Sequence, residues 1–313
     1  MKEKTMKITA YIFEIVLIII LSFLYYLNKP IEIQKVIYIP NGSINKIISQ
    51  LETQRFDLFK LDSLFLRFLG SPQSGWIDMT KRKMTKADFL YRITTAKSAS
   101  QTITLIPGET TYIFLKQLSK RLNLNFSKLK KEYVLQTYIK EGAFVPETYN
   151  IPLKIDERKI IKILLTQSLK QMKEFSIKTL GYYNKEEWYK YLSIASVIQK
   201  ESANIKEMPI VSSVIYNRLK KGMKLQMDGT LNYGKYSHVR ITAKRIREDK
   251  SRYNTYKYKG IPKYPVCNVS FNAINSAIYP MKTDYLYFMK NKKGVHDFSR
   301  NYSTHLKNIN ATK

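Results

Sequence analysis

The side chain best suited to acid–base chemistry is Glu201, which interrupts an apolar stripe. Ile194, Ile198, Glu201 and Ile205 fall at positions i, i+4, i+7 and i+11, a spacing that predicts one face of a helix. A carboxylate on a buried stripe loses hydration, which raises its pKa and keeps it protonated near neutral pH. Such a group can act as general acid on a glycosidic oxygen. The alternative is a glutamate at the helix end paired with Lys200 or another cation, and spacing alone favours that alternative.

Composition argues against several other kinds of site. The chain has one Cys and three His among 313 residues, so neither a disulfide framework nor a Cys/His zinc cluster is expected. It also lacks a phosphate-binding loop of the GxxxxGK[ST] or GxGxxG type. We therefore expect no metal and no cofactor.

The net charge is +30, from 54 Lys and Arg against 24 Asp and Glu. In the cytoplasm a basic chain with 13% aromatic residues would suggest nucleic acid. Outside it, the available polyanions are lipid headgroups and the carboxylate-bearing cell-wall polymer. A Lys-rich bias with a solvated surface explains the charge equally well, so charge alone identifies no partner.

The N-terminal segment predicts a membrane anchor over residues 8–27. A helix of this length matches the roughly 30 Å hydrocarbon core of a bilayer. Its aromatic end and the lack of a small-x-small cleavage site favour an uncleaved anchor over a signal peptide. Lys2, Lys4 and Lys7 precede the run. Positive charges at this end favour a cytoplasmic N-terminus.

Residues 30–98 predict a small module with a strand, two helices and a second strand. The first strand covers 33–39, Ser43 caps the helix after it, and Thr85 caps a later short helix. This order is typical of small carbohydrate-binding modules. A stable spacer that binds no ligand is the alternative.

The rest of the chain predicts mostly helices. A strand over 101–108 is followed by helices over 109–122, 126–138 and 156–175, with a turn-rich stretch at 141–149. Asn184, with Glu187 three positions on, is a capping-box pattern that starts the helix leading to Glu201.

Several blocks of this chain resemble one family. In order, they are EGAFVPETY, IASVIQKES, VSSVIYNRL, KLQMDGTLNYG, YNTYKYKGIP, AIYPMKTDYLYF and GVHDFSRNYSTH. They are similar to blocks of the endolytic murein transglycosylase family (the MltG/YceG-like proteins) and span about residues 100–310. The predicted anchor and small module also resemble that family's layout, which includes a LysM-like domain.

The resemblance implies a fold and a domain order. The expected fold class is α+β, with an N-terminal transmembrane helix, a small LysM-like module and a mixed α/β catalytic domain. The expected boundaries are 1–29 for the cytoplasmic stub and anchor, 30–98 for the LysM-like module and 99–313 for the lytic transglycosylase domain.

The resemblance also implies an activity, namely cleavage of the MurNAc-β-1,4-GlcNAc bond inside nascent peptidoglycan strands. The product carries 1,6-anhydro-MurNAc ends, because the 6-hydroxyl of the same muramic residue replaces water. One carboxyl can then serve both as acid and as base, whereas ordinary glycosidases need two. Such an enzyme would terminate glycan elongation. The alternative is a non-catalytic peptidoglycan-binding protein of the wall-synthesis complex.

Residue by residue, the resemblance makes Glu201 the catalytic residue. The substrate-binding residues that it implies are Gln226, Asp228, Thr230, Tyr233, Asn254, Tyr256 and His296. Glu147 and His305 also lie in resembling blocks; Glu147 fits a cleft role and a capping or turn role equally well, whereas a structural role is favoured for His305.

The chain departs from the family pattern at two informative positions. Gln199 stands where the family often has a second glutamate, which leaves Glu201 as the only acid of its motif. Gly229 stands where the family commonly has proline after the aspartate, and this predicts a more mobile loop.

The expected partners are peptidoglycan strands, the cytoplasmic membrane and, by resemblance, peptidoglycan synthases (penicillin-binding proteins), but no nucleic acid. The expected location is the cell inner membrane, crossed once, with the catalytic domain on the periplasmic or extracytoplasmic side.

Overall fold

The computed structural model describes residues 2–312, which form two compact units. The first unit takes the chain up to Gln101 together with residues 152–154. The second takes residues 102–151 and everything from Ile155 on.

The first unit begins with α1 (Lys2–Leu27), as the apolar run predicts. Its apolar side chains are mostly exposed, Ile12 and Phe13 among them. The segment Lys4–Leu27 is long and apolar enough to cross a membrane, a property that membrane anchors and signal sequences share.

The small module contains the predicted order of strand, two helices and strand over Val36–Asp78, and two further strands and a third helix flank it. Its elements are β1 (Pro30–Glu32), β2 (Val36–Ile39), α2 (Ile44–Thr53), α3 (Lys60–Leu69), β3 (Gly75–Asp78), β4 (Lys83–Thr85) and α4 (Lys86–Thr95). β2 and β3, which the two helices separate along the chain, pair antiparallel, and so do β1 and β4. Ser43 and Thr85 accept hydrogen bonds from backbone N–H groups as N-caps, so both predicted caps are confirmed. The LysM-like character of the module stays a prediction.

The second unit opens with a two-stranded sheet and three helices. They are β5 (Ser100–Thr104), α5 (Thr111–Leu122), α6 (Phe126–Gln136), β6 (Thr148–Pro152) and α7 (Glu157–Leu180), and β5 pairs with β6. The three predicted helices are confirmed with shifted ends, since α7 runs past Phe175 to Leu180 before Gly181 takes a left-handed conformation. Residues 141–147 are irregular as predicted, but Thr148 and Tyr149, which were expected in the same turn-rich stretch, belong to β6.

The core of the second unit is built around α8 (Lys185–Glu201). The elements after it are α9 (Met208–Lys220), α10 (Ala243–Glu248), α11 (Phe271–Ile278), β7 (Tyr287–Lys290), β8 (His296–Ser299) and α12 (Tyr302–Thr312). α9 and α11 pack against α8, whose residues 192–198 are all buried. Asn184 caps α8 by accepting the N–H groups of Glu186 and Glu187.

The predicted apolar stripe ends earlier than its spacing suggests. Ser202 leaves the helical conformation, with φ −72° and ψ 133°, so α8 ends at Glu201. Ile205 lies beyond it in a short 3-10 turn (Ile205–Glu207) and is 60% exposed. Including Ile205 in the stripe was therefore wrong, and Glu201 is the last residue of the helix.

Candidate active site

Glu201 lies on an open groove of about 240 Å³ in the second unit. The residue is partly exposed, at the end of an otherwise buried helix segment. The groove lies where α8, α9, the segment 225–228, β7 and β8 meet. Its lining residues are Glu201, Arg218, Leu225, Gln226, Met227, Asp228, Tyr256, Phe288, Met289, Lys290 and His296.

A backbone N–H holds the carboxyl of Glu201 in place. Gly229 donates to Oε1 at 2.7 Å. A Cβ added at Gly229 would lie 2.6 Å from Lys200 Cβ and 2.9 Å from Glu201 Oε1, so only glycine fits without movement. The glycine is buried and takes no left-handed conformation. Glycine is therefore needed here because the loop backbone lies close to Lys200 and Glu201. The sequence had suggested a different reason, namely a more mobile loop.

The surroundings of Glu201 favour its protonated form. Burial raises its pKa to about 7, the Gly229 N–H opposes this rise, and Asp228 adds to it. Arg218 opposes it more weakly. The position at the helix C-terminus, the negative end of the helix dipole, also disfavours an anion. The carboxyl can thus donate a proton near neutral pH.

A second carboxylate of the groove, Asp228, is fixed by a tyrosine. The Tyr256 hydroxyl donates to its Oδ1 at 2.7 Å. Gln226, two residues earlier, has a left-handed φ of 48°, and its N–H donates to Thr255 O at 3.2 Å. The structure thus brings Gln226, Asp228 and Tyr256 to the same groove as Glu201.

Three other predicted substrate-binding residues lie away from the groove. Asn254 is fully buried, donates to Ile246 O and Asp249 O, and accepts the Tyr256 N–H. Thr230 is also fully buried, and its hydroxyl donates to Met227 O at 2.7 Å.

Tyr233 stacks on Tyr253 with ring centres 4.3 Å apart, and its hydroxyl donates to Asp249 Oδ2. Full burial argues against a direct sugar contact by Thr230 and Asn254, whereas the substrate-binding role of the partly exposed Tyr233 stays a prediction. Their polar groups are used to shape the loops that carry Asp228 and Tyr256.

His296 lies on the groove and is tied to Glu207. Its Nδ1 is 2.7 Å from Glu207 Oε2, and its backbone N–H donates to Oε1 at 2.9 Å. Burial raises the pKa of Glu207, but the hydrogen bonds from His296 outweigh this and hold it below its usual range. Sequence reasoning missed Glu207, because only the fold brings it to β8.

Arg218 is a second groove residue that sequence reasoning missed. It is 8% exposed, and its guanidinium donates to Leu286 O at 2.6 Å and Leu225 O at 2.5 Å. These bonds join α9 to both walls of the groove. An arginine in the apolar run VSSVIYNRL was the available signal, since a buried arginine needs such acceptors.

The two residues whose roles the sequence left open do not line this groove. Glu147 accepts hydrogen bonds from the amides of Gln167 and Gln171, both on α7. His305 stacks on Tyr287 at 5.3 Å. Within residues 2–312, no three His, Cys, Asp or Glu side chains are grouped as metal ligands.

Comparison with known proteins now adds to this geometry. The model of the YceG-like family matches residues 37–311, most of the chain. The chain belongs to the YceG-like family. An endolytic murein transglycosylase of Bacillus subtilis is 30% identical over 302 residues, covering 87% of this chain and 82% of that protein.

Two further similarities concern part of the sequence and the fold. An endolytic murein transglycosylase of Streptococcus pneumoniae is 31% identical over 180 residues, or 55% of this chain and 32% of that protein. In fold, this chain resembles a crystal structure of a putative YceG-like protein from Listeria monocytogenes. Its TM-score is 0.58 at 24% identity, with 87% of this chain and 97% of that one covered.

Gln199 of this YceG-like protein, where the family often has glutamate, does not line the groove. Its Oε1 accepts hydrogen bonds from the N–H and the hydroxyl of Ser270, the N-cap of α11. A glutamate oxygen would accept the same two bonds. The residue therefore supports the packing of α8 on α11.

We expect Gln199→Glu to retain cleavage within about threefold, because it keeps the acceptor and places a negative charge at a helix N-terminus. Gln199→Leu is the matched control, since it removes the acceptor from a buried N-cap and should lower Tm. Rates and thermal unfolding of both variants check this. A large loss of kcat at normal Tm in Gln199→Glu would contradict the supporting role.

Proposed function

We propose that this protein is a membrane-anchored endolytic lytic transglycosylase. It cuts the MurNAc-β-1,4-GlcNAc bond of nascent peptidoglycan strands and leaves 1,6-anhydro-MurNAc ends. The observation that carries the proposal is the Glu201 carboxyl, which lies on a groove and is kept protonated near neutral pH. Membership of the family and the names of its relatives support the same substrate.

In the first step Glu201 donates its proton to the glycosidic oxygen while the bond from that oxygen to the muramic C1 breaks. In the second step the Glu201 carboxylate takes the proton of the muramic 6-hydroxyl as O6 bonds to C1. The carboxyl ends as it began, and no water is consumed. A nucleophile within the same sugar lowers the entropic barrier, so one acid–base group suffices.

Neighbouring groups have defined tasks in this scheme. The Gly229 N–H holds Oε1 and stabilises the carboxylate between the two steps. Arg218 adds a nearby positive charge to the same state. Gln226, Asp228, Tyr256 and His296 offer hydrogen bonds to sugar hydroxyl and acetamido groups.

The proposed location is supported by α1. A span of this length and composition supports anchoring in the cytoplasmic membrane, with the catalytic unit on the extracytoplasmic side. The anchor would keep the groove near strands that leave the membrane, where cleavage terminates their elongation. Peptidoglycan synthases, which make these strands, are the proposed partners, and the module of residues 30–98 is proposed to be LysM-like.

The direct test incubates the full chain in detergent micelles with purified peptidoglycan and weighs the products. Anhydro ends are lighter by one water than hydrolysed ends. We expect anhydro ends from internal cuts. Reducing ends would indicate a hydrolase, and binding without products would indicate a wall-binding protein.

The cleavage rate should depend on a single ionisation near pH 7. The active acid is protonated Glu201, whose pKa is raised to about 7, so kcat should be flat below that pH. Above it, the rate should fall about tenfold per pH unit as the acid is lost. A pH–rate profile on one soluble glycan checks this. A rate that rises from pH 6 to pH 8 would contradict an acid role for Glu201.

A further inference from the structure

The second unit carries a dense group of cations next to the groove. Residues 235–263, here called the basic segment, contain ten Lys and Arg against two acidic residues, a net charge of +8. The mean charge density of the chain, +30 over 313 residues, would give this segment about +3. A uniform Lys-rich bias therefore does not explain it.

Of the two acidic residues of the basic segment, Glu248 is exposed, whereas Asp249 is half-buried and held by hydrogen bonds. Asp249 accepts hydrogen bonds from the Tyr233 hydroxyl at 3.0 Å and the Ser251 N–H at 2.7 Å. The buried Asn254 amide fastens the next turn to Ile246 and Asp249. Because these bonds fix the backbone, the charged side chains project from an ordered surface.

Most cations of the basic segment have no carboxylate partner. Within residues 2–312, none of the exposed ones forms a salt bridge. Unpaired like charges repel each other, so an external anion would stabilise this surface. The exposed cations are Lys235, Arg240, Lys244, Arg247, Lys250, Arg252, Lys259 and Lys263.

The basic segment reaches the groove at Tyr256, which belongs to both. On the other wall, Lys290 of β7 lines the same groove and is exposed. A glycan bound along Glu201 would thus run beside cations on two sides. Its muramic residues carry peptide stems, and those stems carry carboxylates.

We propose that the basic segment binds the carboxylates of these peptide stems, so that the protein prefers stem-bearing glycan to stem-free glycan. This inference rests on the proposed function, because it requires glycan in the groove. An anionic membrane surface offers the same negative charge, but the basic segment meets the Glu201 groove at Tyr256, which favours a ligand that is bound in that groove.

The test measures binding separately from cleavage. The full chain carrying Glu201→Gln is placed in nanodiscs of zwitterionic lipid. Its Kd is measured for purified glycan chains with intact stems and for the same chains after stem removal by an amidase. At low salt we expect the Kd for stem-bearing chains to be at least about fivefold lower than the Kd for stem-free chains. The difference should disappear near 0.5 M salt, where exposed charges are screened.

A pair of charge-matched variants locates the effect. Arg247→Gln, Lys250→Gln and Lys259→Gln together should remove the preference and leave binding of stem-free chains unchanged. Lys116→Gln, Arg121→Gln and Lys130→Gln, on the exposed faces of α5 and α6, remove the same charge and should keep the preference.

Three outcomes would overturn the proposal: equal affinity for both glycans, an equal effect of both variants, or no binding of either glycan. A preference that disappears when the discs contain anionic lipid would assign the segment to headgroups instead. Stem preference in the binding assay with no anhydro product from the wild-type chain would sink the proposed activity and leave this inference standing.

Discussion

Glu201→Gln is expected to abolish cleavage, with a fall in kcat of at least about a thousandfold. The amide has nearly the same shape and can still accept the Gly229 N–H, so the groove should keep its geometry. It cannot donate a proton of comparable acidity to a leaving oxygen, nor take one from the 6-hydroxyl. Anhydro ends released from peptidoglycan, quantified by mass spectrometry, measure the loss.

The matched control is Glu186→Gln, on the same helix. Glu186 lies in the exposed first turn of α8, so this variant removes the same charge away from the groove. We expect it to cleave at the wild-type rate. Activity of Glu201→Gln within tenfold of this control would remove Glu201 from the catalytic role.

Thermal stability shows whether Glu201→Gln loses activity because the acid is missing or because the protein is unfolded. The pKa of folded Glu201 is about 7 and its ordinary value is 4.5, so the folded state retains the proton more strongly. Between these values the contribution of Glu201 to the free energy of unfolding decreases as pH rises. Glutamine cannot ionise, so Glu201→Gln should match wild-type Tm at pH 4 and exceed it at pH 8.

Local patterns were sufficient for most elements and placed Glu201 on a helical stripe, but its catalytic role was inferred from the family resemblance. Ser43, Thr85 and Asn184 were recognisable as caps because a cap depends on neighbours two or three positions away. Glu201 stood out because a helical stripe has a fixed period. The same period wrongly included Ile205, since spacing does not show that Ser202 ends the helix.

Local sequence patterns could not predict contacts between segments that are distant along the chain. The bond between Glu207 and His296 and the bonds of Arg218 to Leu225 and Leu286 exist only in the folded chain. A block that resembles a family identifies positions that matter without showing why. For this reason Asn254, whose amide binds only backbone, was expected among sugar-binding residues.

Gly229→Ala is expected to lower kcat about a hundredfold, the second large effect. The new Cβ would lie 2.6 Å from Lys200 Cβ, near the helix backbone and unable to swing away, so the 228–231 turn must shift. That shift lengthens the 2.7 Å bond to Glu201 and misplaces the carboxyl. Loss of one preorganised donor commonly costs a hundredfold or more in rate. Rates on one soluble glycan measure the fall.

The pH–rate profile of Gly229→Ala shows whether the rate falls because the hydrogen bond to Glu201 is weakened or because the structure is loosened. The Gly229 N–H favours the ionised carboxyl, so weakening it should raise the pKa of Glu201 and move the fall in rate to higher pH. A merely loosened structure would lower the rate and leave the pH of the fall in place. Gly181→Asn, at the left-handed C-cap of α7, is the control and should keep both rate and profile. An unshifted profile in Gly229→Ala would show that this N–H does not set the acidity of Glu201.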